Sequence, residues 1–295
     1  DPRLAATLAV NHADARVTIE RLALKQGKSQ VAVTGHLMTT GTQAFEATVK
    51  LIALDPKPLW AAAPSATLNG ELKVAGQLSQ LQGRVNYRLA DSRLDGKPLA
   101  GEGVLHWRGE RVSEVAAWLR LAGNRVDAKG AWGGKADVLD VHIDAPDLAA
   151  LGLDMSGAAR LDGQLSGGLK APAGRFTAAG ERLRLPGDLR LQSLTADVSL
   201  GEGLDGPISL AIGGQDLRSQ AKGPALLERF ALTAEGRRQQ HVITLLVAAG
   251  SGEAVDARLR GALGEAARGP ARSARAAPPG RDRPRGGAGG RPRGA

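Results

Sequence analysis

Residues Thr67–Ser79 read TLNGELKVAGQLS, and 87 residues further on Asp154–Ser166 read DMSGAARLDGQLS. Gly70, Gly76, Gln77, Leu78 and Ser79 return as Gly157, Gly163, Gln164, Leu165 and Ser166. Each copy follows a similar lead-in, Leu54-Asp55-Pro56-Lys57-Pro58-Leu59-Trp60 before the first and Ile143-Asp144-Ala145-Pro146-Asp147-Leu148-Ala149 before the second. Recurrence at a fixed spacing marks a repeat architecture, in which each unit stacks on its neighbours. Between the copies the chain runs in short alternating segments without a helix longer than about two turns. The unit is therefore a strip of β-sheet opened by a short helical or turn element.

Working outward, residues 1–65 form a partial module with three or four strand signals. Arg16–Leu22 and Gln30–Gly35 alternate apolar with polar or small residues around a turn at Gln26–Ser29. Ala44–Leu54 ends at Asp55-Pro56, since the residue before proline is pushed away from helical geometry. Lys57–Ala63 has the alanines for one or two helical turns. A full module, 66–151, reads as six or seven strands, including Arg84–Leu89, Gly103–Trp107, Arg125–Trp132 and Asp137–Asp144. Val115–Leu121 suits either a strand or a helical turn. Asp95-Gly96 is a strong hairpin signal. The next module, 152–263, follows the same scheme, with short strands at Gly174–Ala179 and Leu183–Leu185 and longer ones from Asp188 to Leu263. Hairpin-length turns imply a mainly antiparallel meander. About eighteen strands at roughly 4.8 Å spacing make a strip on the order of 85 Å long. The fold class is all-β, an elongated antiparallel repeat strip with short helical turns between modules.

Candidate functional residues come from the alternation. Val31, Val33, Val85, Tyr87, Leu89, Leu139, Val141, Ile143, Leu189, Leu191, Ile208, Leu210 and Ile212 place apolar side chains on one face, against Asn, Arg, Asp, His, Gln and Ser on the other. With no helices to cover it, that face must be closed by folding the sheet into a sandwich, a barrel or a curled groove. Forty glycines and only three Phe, four Trp and one Tyr argue against one dense globular core and leave room along a groove.

Other chemistry is sparse. The chain has no cysteine, which removes disulfides, thiolate nucleophiles and cysteine-ligated metal sites. His12, His36, His106, His142 and His241 stand singly, without metal-ligand spacing. Gly130–Lys135 is one residue too short for a phosphate-binding loop, and Ala136 stands where Ser or Thr is needed, so it reads as a hairpin. Asp137, Asp140, Asp144 and Asp147 fit no calcium loop. No serine is flanked as a nucleophile would be. The reading is a non-enzymatic protein with no catalytic residues, metal or cofactor.

Of the net charge of +9, the last 32 residues carry six, from eight arginines against Glu265 and Asp282, so the body is nearly neutral. After Leu263 the chain has no Val, Ile, Leu, Phe or Lys. Such an Arg/Gly/Pro/Ala-rich segment, 264–295, cannot bury a core and reads as disordered. An RNA-binding Arg-Gly tail is one explanation. A frame-shifted reading of GC-rich DNA is preferred, because the strand pattern stops abruptly, and no nucleic-acid partner is expected. No run reaches the roughly 18 apolar residues of a membrane-spanning helix. The start at Asp1-Pro2-Arg3 reads as the interior of a longer protein.

The lead-in followed by L-N/S-G-x5-G-Q-L-S and long glycine-punctuated strands resembles the periplasmic repeats of the TamB family, among the AsmA-like bridge proteins of Gram-negative bacteria. The resemblance spans about residues 1–263. It implies a β-taco, a curled sheet with an apolar groove, attached to the inner membrane by an anchor outside this chain and facing an outer-membrane barrel partner of the Omp85 class. It further implies periplasmic location, phospholipid movement between the membranes, and assistance to autotransporter assembly and secretion. The alternative from another class is a structural β-solenoid or adhesin-like scaffold with a closed, dry core.

Overall fold

In the computed structural model, residues 4–58, 60–203, 205–221, 223–237, 239–250 and 252–261 are described, and they form a single antiparallel sheet of seventeen strands. In chain order these are β1 (Ala5–Ala13), β2 (Arg16–Gln26), β3 (Ser29–Met38), β4 (Ala44–Leu54), β5 (Ala66–Gln77), β6 (Gln82–Leu94), β7 (Lys97–Arg108), β8 (Arg111–Leu121), β9 (Asn124–Trp132), β10 (Val138–Ala145), β11 (Ser156–Gly168), β12 (Ala171–Leu185), β13 (Leu189–Leu200), β14 (Ile208–Arg218), β15 (Leu227–Arg237), β16 (Gln240–Ala249) and β17 (Ala254–Gly261). Each strand pairs with its predecessor and its successor in the chain. Among the described residues β1 pairs only with β2, and β17 only with β16, so the sheet is an open strip and not a barrel. The tail expected at 264–295 lies outside the described residues.

Hairpin chemistry explains much of the meander. Asp95 and Gly96 both take positive φ, 47° and 75°, as a two-residue turn between antiparallel strands requires. Val115–Leu121 belongs to strand β8, and Leu183–Leu185 is the end of β12 rather than a separate strand. The lead-ins differ from one another. The described residues of 57–63 make turns, held by Trp60 N–H to Pro56 O and Ala63 N–H to Trp60 O. Pro56, Pro58 and Pro64 withhold the donors and restrict the backbone that a helix would need. The second lead-in does form a 3₁₀ turn, Leu148–Leu151, whose start is capped by Asp147 accepting from Ala149 N–H at 3.1 Å.

That turn works as a strap across one edge of the sheet. Asn124 donates to Asp147 O at 2.7 Å and accepts from Asp147 N–H at 3.0 Å, while Lys97 Nζ reaches Ala150 O at 2.7 Å. Beneath the strap, Leu148 packs with Ala145, Leu183 and Leu191 in the most closed apolar cluster of the sheet.

The same edge carries bulges that reset which face a strand shows. Arg182 in β12 sits at φ 48° beside a register shift against β11, and Asp216 in β14 takes φ 55° with no shift in its own pairings. Their strands then return Leu183 and Leu217 to the cluster that also holds Leu194 and Phe230. In β4 and β6 the corresponding residues are Ala53 and Asp91, at φ 46° and 50°. There the interrupted ladder is rebuilt by side chains. Asn69 accepts from Ala53 N–H at 2.8 Å and donates to Asp91 O at 2.8 Å. Ser92 accepts from Asn69 N–H at 2.8 Å and donates to Asn69 O at 2.9 Å. At the opposite edge the β9–β10 hairpin closes on Asp137, which takes a two-pronged contact from Arg111, both bonds 2.7 Å, and Gly134 N–H at 2.7 Å.

Two predictions follow from these edges. Ser92 is only 3 % exposed, so Ser92→Ala leaves the part-buried N–H and C=O of Asn69 without their partner and is expected to destabilise the β5–β6 edge by about 1 kcal/mol. Hydrogen exchange should show lost protection around Asn69, and unchanged exchange there would contradict this account. The Arg111 hydrogen bond, helped by Gly134 N–H and the Arg111 charge, holds the Asp137 carboxyl below its ordinary value. Its contribution is therefore complete above the unfolded carboxylate range, near pH 4, and is lost as pH falls through the lower folded value. Denaturation at pH 7, 5 and 3 should show wild type and Asp137→Asn differing by a constant amount at the upper two values and converging at the lowest.

Candidate functional site

Directly opposed residues of an antiparallel pair share a face, so consecutive registers trace each face across the strip. One row runs through Leu8, Leu22, Val33, Val49, Leu72, Tyr87, Gly103, Ala117, Ala128, Val141, Gly163, Phe176, Val198, Leu210, Ala234, Ile243 and Leu259. It crosses every strand without a charge. A flanking row from Ala6 to Ala257, through Val31, Leu51, Leu89, Ile143 and Ile212, holds only aliphatic residues and glycine. The row on the other side, from Val10 to Gly261 through Val85, Leu139 and Ile208, is interrupted only by His241.

Eleven of the residues singled out by alternation, Val31, Val33, Val85, Tyr87, Leu89, Leu139, Val141, Ile143, Ile208, Leu210 and Ile212, fall in these three rows. Leu189 and Leu191 do not. Leu191 lies in the cluster under the strap, 4 % exposed, and Leu189 stands at the hairpin end of β13. The bulge in β12 that brings Leu183 to the same cluster has no signature in the alternation.

Several aromatic side chains lie along this face rather than projecting from it. A Cβ added at Gly103 would meet the Tyr87 ring at 2.6 Å, and one at Gly83 the Trp107 ring at 2.5 Å. Gly76, Gly163 and Gly214 stand in the same relation to Phe45, Phe176 and Phe230. Tyr87 crosses β7 completely, its hydroxyl donating to Trp118 O on β8 at 3.0 Å. Burial accordingly raises the Tyr87 phenol above its ordinary pKa. Rings laid over glycines keep apolar area while leaving the floor low.

Exposure differs between the two faces. Along β12, Phe176, Ala178 and Gly180 are half-buried or buried, while Arg175, Thr177 and Ala179 are exposed. A flat single sheet would expose both faces alike, so this asymmetry marks a strip curled toward its apolar side. The apolar face is nonetheless open in mid-sheet, where Leu105, Leu119 and Val126 are 37 %, 40 % and 41 % exposed.

The opposite face is a ladder of charges. Lys50, Glu71, Arg88 and Glu102 oppose one another in sequence, then Trp118, with the Arg125 guanidinium 4.9 Å from its ring centroid, and further along Asp127, His142 and Asp162. Lys73, by a 2.7 Å bond, lowers the Glu71 carboxyl, and Arg125 does the same for Asp127. Of the histidines, His142 meets Asp162 at 2.6 Å and His106 meets Glu114 at 3.0 Å. The four aspartate carboxylates between 137 and 147 each have a separate partner, Arg111, Gln164, Arg160 and Ala149 N–H. Among the described residues no three His, Asp or Glu side chains are grouped to hold a metal. No described helix is long and apolar enough to cross a membrane.

No curated protein and no solved structure matches the chain. Residues 2–269, by contrast, match the family described as TamB, N-terminal domain, which takes in every strand of the open apolar strip. The chain belongs to the TamB family.

Proposed function

We propose that the apolar face is a groove along which phospholipid acyl chains move between the inner and outer membranes, this chain being part of a periplasm-spanning bridge. The observation that carries the reading is the set of apolar rows crossing all seventeen strands with mid-sheet side chains still open. An acyl chain leaving a bilayer loses contacts worth about 0.8 kcal/mol per CH₂ and regains a similar amount on an aliphatic floor, while its head group stays in water. The chain needs no catalytic residue for this. Family membership further supports an inner-membrane attachment and an outer-membrane barrel partner of the Omp85 class. The same surface suits assistance to outer-membrane protein assembly and secretion, where apolar segments also need shelter from water.

A scaffold with a dry core would need a second layer over the floor. Among the described residues no large side chain is fully buried, which favours the open groove.

Native mass spectrometry with lipid extraction, after expression in a Gram-negative periplasm, is expected to show phospholipid bound to the chain. Leu119→Arg and Val126→Arg should each abolish co-purification while leaving the far-ultraviolet circular dichroism unchanged, because both sites are open enough to accept the longer side chain. A lipid-free wild-type mass would favour the closed scaffold.

A further inference from the structure

The central apolar row is not level. On β1–β5, from Leu8 to Leu72, its residues are all leucine or valine, and Val198 and Leu210 restore that size on β13 and β14. From β7 to β11, four of its five residues are glycine or alanine, namely Gly103, Ala117, Ala128 and Gly163, with Val141 among them. The Tyr87 and Phe176 rings lie over Gly103 and Gly163 and keep the row low at both ends of this stretch. The rows on either side stand higher. On β8 the face reads Val115, Ala117, Leu119, and on β11 it reads Leu161, Gly163, Leu165. Leu119 also leans across β7, where a Cβ at Gly101 would come within 2.8 Å of its Cδ1. Gly130, on β9, leaves one gap in this rim. Leu105, Leu119 and Val126 rim the two alanines and are exposed, whereas Ala117 and Ala128 between them are half-buried.

Same-face residues along a strand stand about 6.7 Å apart, so leucines in adjacent rows fill the space between them. A middle row cut down to alanine and glycine therefore opens a gutter about one aliphatic side chain wide. It runs across the strands, and the four steps from β7 to β11 give it a length of roughly 19 Å. The geometry points to selection by width: the gutter seats a single unbranched hydrocarbon chain, and Ala117 and Ala128 are the residues that make room for it. This rests on the groove reading and adds a discrimination that hydrophobicity alone does not give. A methyl-branched chain of the same length carries more apolar area, so a level floor would hold it more tightly. In the gutter its branches meet the rim on both sides and lift the chain off the floor, which forfeits contacts the straight chain keeps.

The test uses the full chain with dodecanoate and 3,7,11-trimethyldodecanoate, which share head group and chain length and differ in width, each below its micellar concentration and read by calorimetry. Dodecanoate should bind about tenfold more tightly than the branched acid, the scale of an overpacked contact. Ala117→Leu and Ala128→Leu should each weaken dodecanoate by about the same factor, although both make the floor more apolar. A thermal scan checks that the variants fold. Leu119→Ala lowers the rim without filling the gutter and should bring the branched acid close to dodecanoate, which decides the matter if the leucine variants fail to fold. Branched acid bound as tightly as dodecanoate or more tightly, leucine variants that keep wild-type affinity, or a Leu119→Ala protein with an unchanged preference each overturn the gutter while leaving the groove standing. Wild-type protein that binds neither acid removes both.

Discussion

Everything in this sheet depends on register. A one-residue slip in any strand turns its apolar side chains to the polar face, since side chains alternate with period two. In a sandwich a second layer would penalise the slip. Here there is a single layer, so the hairpins themselves must hold the alignment. Tight turns such as Asp95-Gly96 do this locally, by fixing which residues oppose one another. The charge ladder does it on the other side, because Lys50 opposite Glu71 and Arg88 opposite Glu102 would each be mispaired by a shift. Exposed ion pairs of this kind add little stability individually. Their value is in discriminating the correct pairing from its neighbours.

Glycine and aromatic residues answer a second consequence of the single layer. A large ring standing on an uncovered sheet would remain in water, and one inserted between strands would break the ladder. Laying it across a glycine of the next strand removes area from water on one side of the ring and leaves the other side as floor. Gly103 with Tyr87 and Gly163 with Phe176 repeat the solution in different parts of the strip. Each glycine weakens its strand slightly, and the ring over it restores the lost packing. The same pairs lower the floor where the sheet curls, so curvature and depth come from one device.

Much of this was legible in the sequence, because period-two alternation is a local property. The all-β meander and most apolar-face residues follow from it directly, whereas alternation alone left sandwich, barrel and open groove as equals. What alternation could not give lies at the strap edge. Ala53, Asp91, Arg182 and Asp216 adopt positive φ without being glycine, and the alternation does not mark where that happens. Leu191 reads like any floor residue, yet a bulged strand and the Leu148 turn enclose it. The likeness of the two lead-ins was visible, but not that prolines would confine the first to turns while Asp147 caps the second. His241 was visible as a lone histidine. Only the seventeen-strand register shows that it interrupts an otherwise apolar row.

The strap also makes the two long edges of the groove unequal. At the edge bearing Leu148, the floor near β10–β13 is roofed and its side chains are satisfied by one another. A ligand there would have to displace leucine contacts already made, with little gain. Near the middle rows, Leu105, Leu119 and Val126 have no such partner and lose water when covered. On the proposed reading, an acyl chain would therefore settle on the central rows rather than at the strapped edge. Along those rows each strand offers another aliphatic residue or glycine, so a step from one strand to the next exchanges similar contacts. With about 0.8 kcal/mol at stake per CH₂, a deep pocket at any one strand would hold the chain in place. A shallow floor would let it move, and apolar rows that continue across every strand supply such a floor.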